Sequence, residues 1–433
     1  MSPYLKFFKF LVFFNPCMLN FFSGRLFFIR IILLLSTITL VSIGIATIYS
    51  LGHPAEPGPA SHYEDISSLW KKQLVFAAAS LAVFIFINLF NYRRLGPYSY
   101  WLYAFVIILL ILLLVDKYLL NIPDILIEEI RQTHRWIKIP FAGISIQPSE
   151  VCKLAYIIVL AWYLRYRSNY RSFSSLIGPF ALAFLPMVLI LFEPDLGTVL
   201  LMMPILFSML FVAGAKVKHL LIIISLAIIV SPILWFGMNP YQRIRISSVL
   251  LQSERVRKLA EDNPKLANIL VGTSFSSRKW ESNWGYHLIR SKYAVASGGL
   301  KGYGFRKGPF VKYDFLPERE NDFIFAAIAQ QWGFLGCLAL LFIYIIFIGC
   351  GLEIAGDNND PFGRFIAVGI VSMFVVEVVV NVGMTVGLMP ITGLTLPFVS
   401  YGGSSLLVNI TAVGLLNNIG RRRQFSVAPK LPR

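Results

Sequence analysis

Charge is what this sequence has little of: of 433 residues only 14% are charged, against roughly 25% in an ordinary soluble domain, while 57% are hydrophobic. That shortage excludes a soluble globular enzyme. Runs such as "FFIRIILLLSTITLVSIGIATIYSL" and "YWLYAFVIILLILLLV" with its flanks reach the roughly 20 apolar residues needed to cross about 30 Å of hydrocarbon, so an integral membrane protein is expected. Cysteine is scarce as well. Cys17, Cys152, Cys337 and Cys350 fall in or beside apolar runs and form no CxxC pair, so neither a disulfide framework nor a zinc site is expected. Acidic residues number 22 against 39 basic ones, a formal net charge of +17. No module with aromatic residues interleaved among basic ones stands out, and many basic residues lie in short connections between apolar runs. The excess is read as positive-inside topology, with no nucleic-acid partner.

The expected fold is an all-α polytopic membrane protein with about ten transmembrane helices, at roughly 26–51, 72–91, 98–115, 147–164, 176–192, 198–214, 219–236, 322–349, 363–388 and 403–419. Residues 1–25 read as a retained cytoplasmic or interfacial tail, because no small-residue cleavage site follows their apolar part. Residues 26–236 hold the first seven spans, and 237–321 form a large extracytoplasmic loop between spans seven and eight. Residues 322–419 hold the last three spans, and 420–433 are a basic cytoplasmic tail. With the N-terminus inside, the cytoplasmic turns are "NYRRLG", "RYRSNYRS", "AKVKH", "GLEIAGDNNDPFGR" and "GRRRQF", of which all but the fourth are clearly basic. The long loop is expected to contain short helices, since "SERVRKLAEDNPKLANIL" has helical apolar spacing.

The few acids are clustered. In "KYDFLPERENDFIFAAIAQQWGF", residues 312–334, Asp314, Glu318, Glu320 and Asp322 fall within nine positions, just before an apolar run that opens at Phe323. Pro317 suits the first turn of a helix, and a helix starting there sets Glu318 and Asp322 on one face. Two readings stay open. One is a solvated acidic helix N-terminus favoured by the macrodipole; the other is a general base at the membrane boundary for an extracellular lipid-linked substrate. In "ISIQPSEVCKLAYIIVLAWYLR", Glu150 and Lys153 stand one turn apart at the start of a span, where such a pair either locks helices together or faces a substrate. "LFEPDLGTVL" sets Glu193 and Asp195 in a Pro/Gly turn, with helix capping by Asp195 the default.

In "RSKYAVASGGLKGYGFRKG", Gly298, Gly299, Gly302 and Gly304 surround Lys301, near Arg290, Lys292, Arg306 and Lys307. The pattern fits either a pyrophosphate cradle or a plain flexible loop, and its spacing is neither Rossmann nor Walker. "NVGMTVGLMPITGLTLPFVSYGGSSLLVNI" places Pro390, Gly393, Pro397, Gly402 and Gly403 between two spans, where non-helical backbone points to a cavity wall.

These segments resemble the SEDS family (shape, elongation, division and sporulation; FtsW/RodA/SpoVE). The motifs are "HRWIKI" with "QPSEVCKLA", "EPDLGT", "NPYQRIRI", "YHLIRSKYAVASGGLKGYG", "FLPERENDFIFAAIAQQWGFLG" and "NVGMTVGLMPITGLTLPFVSYGGSS", in family order from about residue 70 onward. The wording is nearer the RodA, elongation, branch than the FtsW, division, branch. Departures are Arg290 where a Gln is usual, Asn321 where a Thr is usual, Glu377 where a Gln is usual, and a longer segment at 243–284.

The resemblance implies a peptidoglycan glycosyltransferase that polymerises lipid II for cell-wall elongation and cell shape, in the bacterial cytoplasmic (inner) membrane with its active site on the extracytoplasmic face. It implies that Asp322 matches the family's essential Asp and Asp314 a second acid of the same loop. An inverting transfer would use Asp322 as base and release undecaprenyl pyrophosphate, steadied by Arg319, Lys301, Lys153 or a divalent cation such as Mg²⁺ or Mn²⁺. Substrate contacts are expected from Glu150, Lys153, Glu193, Asp195, Lys301, Glu318, Arg319, Ser400, Gly402 and Ser404. The implied partner is a class B penicillin-binding protein, a transpeptidase. A lipid II flippase and a non-catalytic scaffold for that partner are the alternatives. Acids at the outer rim, beside a long loop, favour the enzyme over the transporter.

Overall fold

In lipid only a helix satisfies every backbone N–H and C=O within one segment, and the apolar runs fold accordingly. The computed structural model describes residues 26–55, 66–117, 127–130, 133–139, 144–165, 172–193, 195–238, 240–283, 285–313, 315–316 and 318–422. The first helices are α1 (Phe27–Gly52), α2 (Leu69–Leu89) and α3 (Leu95–Val115). They are followed by α4 (Pro148–Arg165), α5 (Ile177–Phe192), α6 (Leu196–Val212) and α7 (Val217–Gly237). After the long loop come α14 (Ile324–Asp357), α15 (Pro361–Thr385) and α16 (Gly403–Arg421), numbered past the six loop helices given below.

Six helical segments among the described residues are long and apolar enough to cross a membrane: Phe27–Gly52, Leu69–Leu89, Tyr92–Val115, Phe173–Phe192, Ile324–Asp357 and Pro361–Thr385. Leu196–Val212 and Val217–Ile233 are apolar but shorter. The interior helices α4 and α16 are more polar. Their polar side chains, among them Lys153, Asn409, Asn417 and Asn418, are buried against neighbouring helices, so protein rather than lipid satisfies them. At one end of the bundle Arg30 donates to Asn417 (3.0 Å), Asn417 donates to Asn88 (2.7 Å), and Tyr92 and Arg93 both donate to Asp360.

Two features depart from the sequence expectation. The all-α reading is interrupted by a small antiparallel sheet, β1 (Ile127–Ile130), β2 (Thr133–Ile139) and β3 (Ile144–Ile146), which pairs Ile127 with Ile137 and Ile137 with Ile146. The segment "THRWIKI" is rich in β-branched and aromatic residues, which favour a pleated surface over a helix. The eighth long helix is also broken. At Gly333 the backbone turns to φ 64 and ψ −163 inside α14. The loop 299–304 inserts there: Tyr303 N and Gly304 N donate to the Gln330 and Gln331 carbonyls, and Phe334 N and Leu335 N donate to the Gly299 and Leu300 carbonyls. The kink thus comes from backbone inserted into the i→i−4 ladder, with the freed groups re-paired.

The long loop folds into α8 (Pro240–Leu251), α9 (Glu254–Asp262), α10 (Pro264–Val271), α11 (Ser277–Ser282), α12 (Tyr286–Gly298) and α13 (Pro309–Lys312). Asn263 caps α10 by accepting from Lys265 N and Leu266 N, Pro264 opens it, and Gly272 closes it at φ 80. Ile244, Leu251, Ala260, Val271 and Trp280 give the loop its own small core.

Candidate active site

The acidic turn is the start of the site, and its shape corrects one expectation. No helix opens near Pro317, so Glu318 and Asp322 are not aligned on a helical face. Residues 318–323 form a tight turn with Glu318 at φ 55, the amides of Asn321 and Phe323 both donate to the Glu318 carbonyl, and α14 begins only at Ile324. Side-chain bonds compete with the helix here. Asn321 Nδ2 donates to Glu318 Oε2 at 2.9 Å, and the buried Arg319 donates through Nη1 to the Phe310 carbonyl at 2.7 Å. Pro317 and Asp314 lie outside the described residues.

Asp322 is held through its backbone. Asn381 of α15 donates from Nδ2 to the Asp322 carbonyl at 3.0 Å and to the Leu394 carbonyl at 2.7 Å, joining the acidic turn to the α15–α16 loop. Ser400 Oγ donates to the Asn321 carbonyl at 2.7 Å, and Tyr401 N donates to the Glu320 carbonyl at 2.8 Å. On the other flank the His287 ring of α12 stacks on Phe323, centroids 6.2 Å apart. Above the carboxylate, Gly393 at φ 78 carries no side chain; a Cβ there would stand 3.7 Å from Asp322 Oδ2. The acid is therefore fixed in position with one side kept open by glycine.

The N-terminal end of α4 gathers most of the remaining candidates. Ser149 Oγ donates to Asp195 Oδ2 at 3.1 Å, and Gln147 reaches the same oxygen at 3.4 Å. Asp195 also caps α6, accepting from Thr198 N at 3.3 Å and Thr198 Oγ1 at 2.9 Å, which meets the capping expectation. Gln147 N donates to Ser404 Oγ, which donates on to the Ser145 carbonyl, both at 3.1 Å. Gly402 N donates to Gln73 Oε1, and Gln73 Nε2 to the Ser400 carbonyl, both at 3.3 Å. Ser400, Gly402 and Ser404 thus tie the acidic turn to α2 and to the sheet. Glu193 ends α5 with its carbonyl accepting from Arg135 Nε at 2.6 Å. Burial pushes its carboxyl up to about 8, Asp195 adds to the rise, and Arg135 and Lys117 oppose it.

Lys153 is fully buried between two acids, 2.8 Å from Glu150 Oε2 and 2.6 Å from Glu377 Oε1. Glu377 precedes Asn381 by four residues on α15, so the ion cluster and the Asp322 anchor share one helix face a turn apart. Neither Glu377 nor Asn381 stood among the residues expected from sequence. Their signal was an ionisable and an amide side chain four apart inside "MFVVEVVVNVG", an otherwise apolar run.

Lys301 does not join these clusters. It is exposed on the loop inserted at Gly333, nine residues along α14 from Ile324, roughly 13 Å of helix. The glycine amides expected to cradle an anion are spent internally: Gly302 N donates to the Gly298 carbonyl and Gly304 N to Gln331. Among the described residues no three His, Cys, Asp or Glu side chains gather as a metal-holding set.

The chain has relatives across nearly its whole length. A family model described as "Cell cycle protein" (FTSW_RODA_SPOVE) matches residues 29–425. The chain is 34% identical to "Stage V sporulation protein E" of Bacillus subtilis (strain 168), covering 91% of this chain and 98% of that one. It is 29% identical to "Peptidoglycan glycosyltransferase RodA" of Treponema pallidum (strain Nichols), covering 90% and 97%. A solved structure described as "Structural coordination of polymerization and crosslinking by a peptidoglycan synthase complex" contains a chain of the same fold. Its TM-score is 0.68 at 26% identity, with 90% of this chain and 96% of that chain covered. By these matches the chain belongs to the FtsW/RodA/SpoVE family.

Proposed function

We propose that this chain is a multi-pass membrane glycosyltransferase of cell-wall synthesis that joins lipid II units into glycan strands, with Asp322 as general base. The observation that carries the reading is a carboxylate anchored through its backbone to Asn381, with the space above it kept clear by Gly393. The name of the Treponema pallidum relative supports the activity. In the step, the 4-hydroxyl of one lipid II's GlcNAc attacks the anomeric carbon of another's MurNAc. The C–O bond to undecaprenyl pyrophosphate breaks, the leaving group takes the electron pair, and the hydroxyl proton passes to Asp322. A single displacement inverts the anomeric centre and needs no covalent enzyme intermediate. Lys301, exposed on a loop that inserts roughly 13 Å along α14 from Ile324, stands apart from Asp322 and is not assigned to the leaving pyrophosphate. Lys153 and Arg319, engaged with Glu150, Glu377 and the Phe310 carbonyl, act by positioning. Asp314 is proposed as a second acid of the same loop.

The same reading sets ten spans in the cytoplasmic membrane, the site on the outer face, and elongation rather than division as the role. A class B penicillin-binding protein is the proposed partner, supported by the synthase complex to which the fold is similar. A transport reading draws on one observation, the buried Lys153, Glu150 and Glu377 inside the bundle, since transporters keep coupling charges at such depth. Purified protein given fluorescent lipid II, with and without the transpeptidase, decides between them by chain growth. Growth that falls by roughly 10² to 10⁴ in Asp322→Asn supports the base. Undiminished growth in that variant rejects it, and lipid II translocation across vesicles without wild-type growth selects transport.

A further inference from the structure

One face of α12 carries Tyr286, Arg290 and Tyr293, at the i, i+4 and i+7 positions. Together with Lys292, Gln252 and Arg257 they border an open-sided cleft of about 390 Å³, within the range of small-ligand sites. The cleft is built on the loop's own core, with the buried Trp280 and Leu251 beneath it and Ile289 packed against them.

Its charges are not all spent. Arg257 is neutralised by Glu281 at 2.6 Å. Lys292 donates to Gln252 Oε1 at 2.9 Å, and Gln252 is itself fixed by the Gly387 carbonyl at 2.7 Å, so the ammonium is oriented by a neutral group and keeps its charge. The Arg290 guanidinium lies 5.1 Å from the Tyr286 ring and 5.4 Å from the Phe315 ring, with no ion-pair partner among the described residues. Two rings therefore hold a cation whose forked donors match a carboxylate. Arg290 and Lys292, two residues apart on the helix, flank the cleft on different sides. Separated cations suit an extended ligand with separate anionic groups better than one compact ion.

We propose that this cleft binds the carboxylates of the peptide substituent carried by the sugar substrate, an assignment that rests on the glycosyltransferase reading. The spacing fits. His287, which stacks on Phe323 next to Asp322, stands three residues before Arg290 on α12, so the two side chains are neighbours on the helix surface and the cleft lies beside the acidic turn. An extended peptide of about three residues, at roughly 3.3–3.6 Å per residue, is long enough to run from a sugar at the acid into a cleft beside it.

The test reads binding to the full chain in detergent micelles, so it needs no turnover. The probe is a fluorescent muramyl tripeptide with free carboxylates, compared with its amidated counterpart and with inorganic phosphate. Wild-type protein should prefer the acid form by about tenfold, as expected for losing one charge-assisted pair, and the double variant Arg290→Gln/Lys292→Gln should erase the preference. Equal affinity of wild type for acid and amide overturns the proposal, and this arm needs no variant. An unchanged preference in the double variant also overturns it, as does inorganic phosphate displacing the probe at equal concentration, which assigns the cleft to phosphate. A chain that keeps the acid preference yet never extends lipid II sinks the polymerase reading and leaves the cleft.

Discussion

Lys153 on α4 holds its ammonium 2.6 Å from Glu377 on α15, while Glu150 on its own helix stands 2.8 Å away on the other side. One buried cation thus serves two carboxylates, and it joins α4 to the helix that anchors Asp322. Removing the cation leaves two acids without compensation, so Lys153→Met should destabilise the protein by roughly 3–5 kcal/mol. Glu377→Gln keeps the shape and leaves Lys153 paired with Glu150, so its cost should be about 1 kcal/mol, that of one exchanged hydrogen bond. Thermal unfolding of both variants in detergent compares them. Equal losses would show that Glu150 alone does not satisfy the lysine.

The long apolar runs and the charge alternation between them made the helical framework legible in the sequence, because lipid leaves a spanning backbone few other choices. The acidic turn was legible as composition and not as shape. A proline followed by acids reads as a helix start, and what prevents it is tertiary: Arg319 reaching the Phe310 carbonyl and Tyr401 N reaching the Glu320 carbonyl. Gly333 escaped for the same reason, since its left-handed backbone is demanded by a loop some thirty residues earlier in the chain. Glu377 was visible as an odd residue in an apolar helix, but its partner on α4 is 224 positions away.

Stability should depend on pH through Glu193, which lies beyond the end of its helix. A carboxyl near 8 in the folded chain, against 4.5 when unperturbed, means that the folded state keeps a proton the unfolded state has released between those values. Raising the pH through that window strips the proton and costs the folded state stability. Glu193→Gln should flatten the profile between about pH 4.5 and 8 and raise stability at the alkaline end. Melting temperatures in detergent across that range are the measurement, and a variant as pH-sensitive as wild type argues against Glu193 as the source.

Topology has a direct check in the loop helices. Lys258 on α9 is exposed, and its pair with Glu254 is a surface one. A cysteine at 258, in a variant whose four native cysteines are replaced by serine or alanine, should react with an impermeant thiol reagent added to intact cells. Labelling seen only after lysis would put the loop inside and reverse the proposed face of the active site.

The space above Asp322 gives the sharpest test of the site. Gly393 sits at φ 78, a left-handed conformation costing an alanine about 1–2 kcal/mol, and its added methyl would stand 3.7 Å from Asp322 Oδ2. Both effects act in Gly393→Ala, so a second glycine is needed to separate them. Gly214 has φ 90 with nothing within 4 Å of an added Cβ, and it lies in the turn after α6, away from the acidic turn. Gly214→Ala therefore carries the backbone strain without the crowding. If an acceptor hydroxyl approaches Asp322 through the gap at Gly393, Gly393→Ala should slow lipid II polymerisation at least tenfold beyond Gly214→Ala, since misplacement by about 1 Å at a reacting centre costs up to about 10²-fold. Chain growth by the two purified variants, matched for thermal stability, is the comparison. Equal rates would mean that the hydroxyl reaches Asp322 from another side, and the role given to Gly393 would fall.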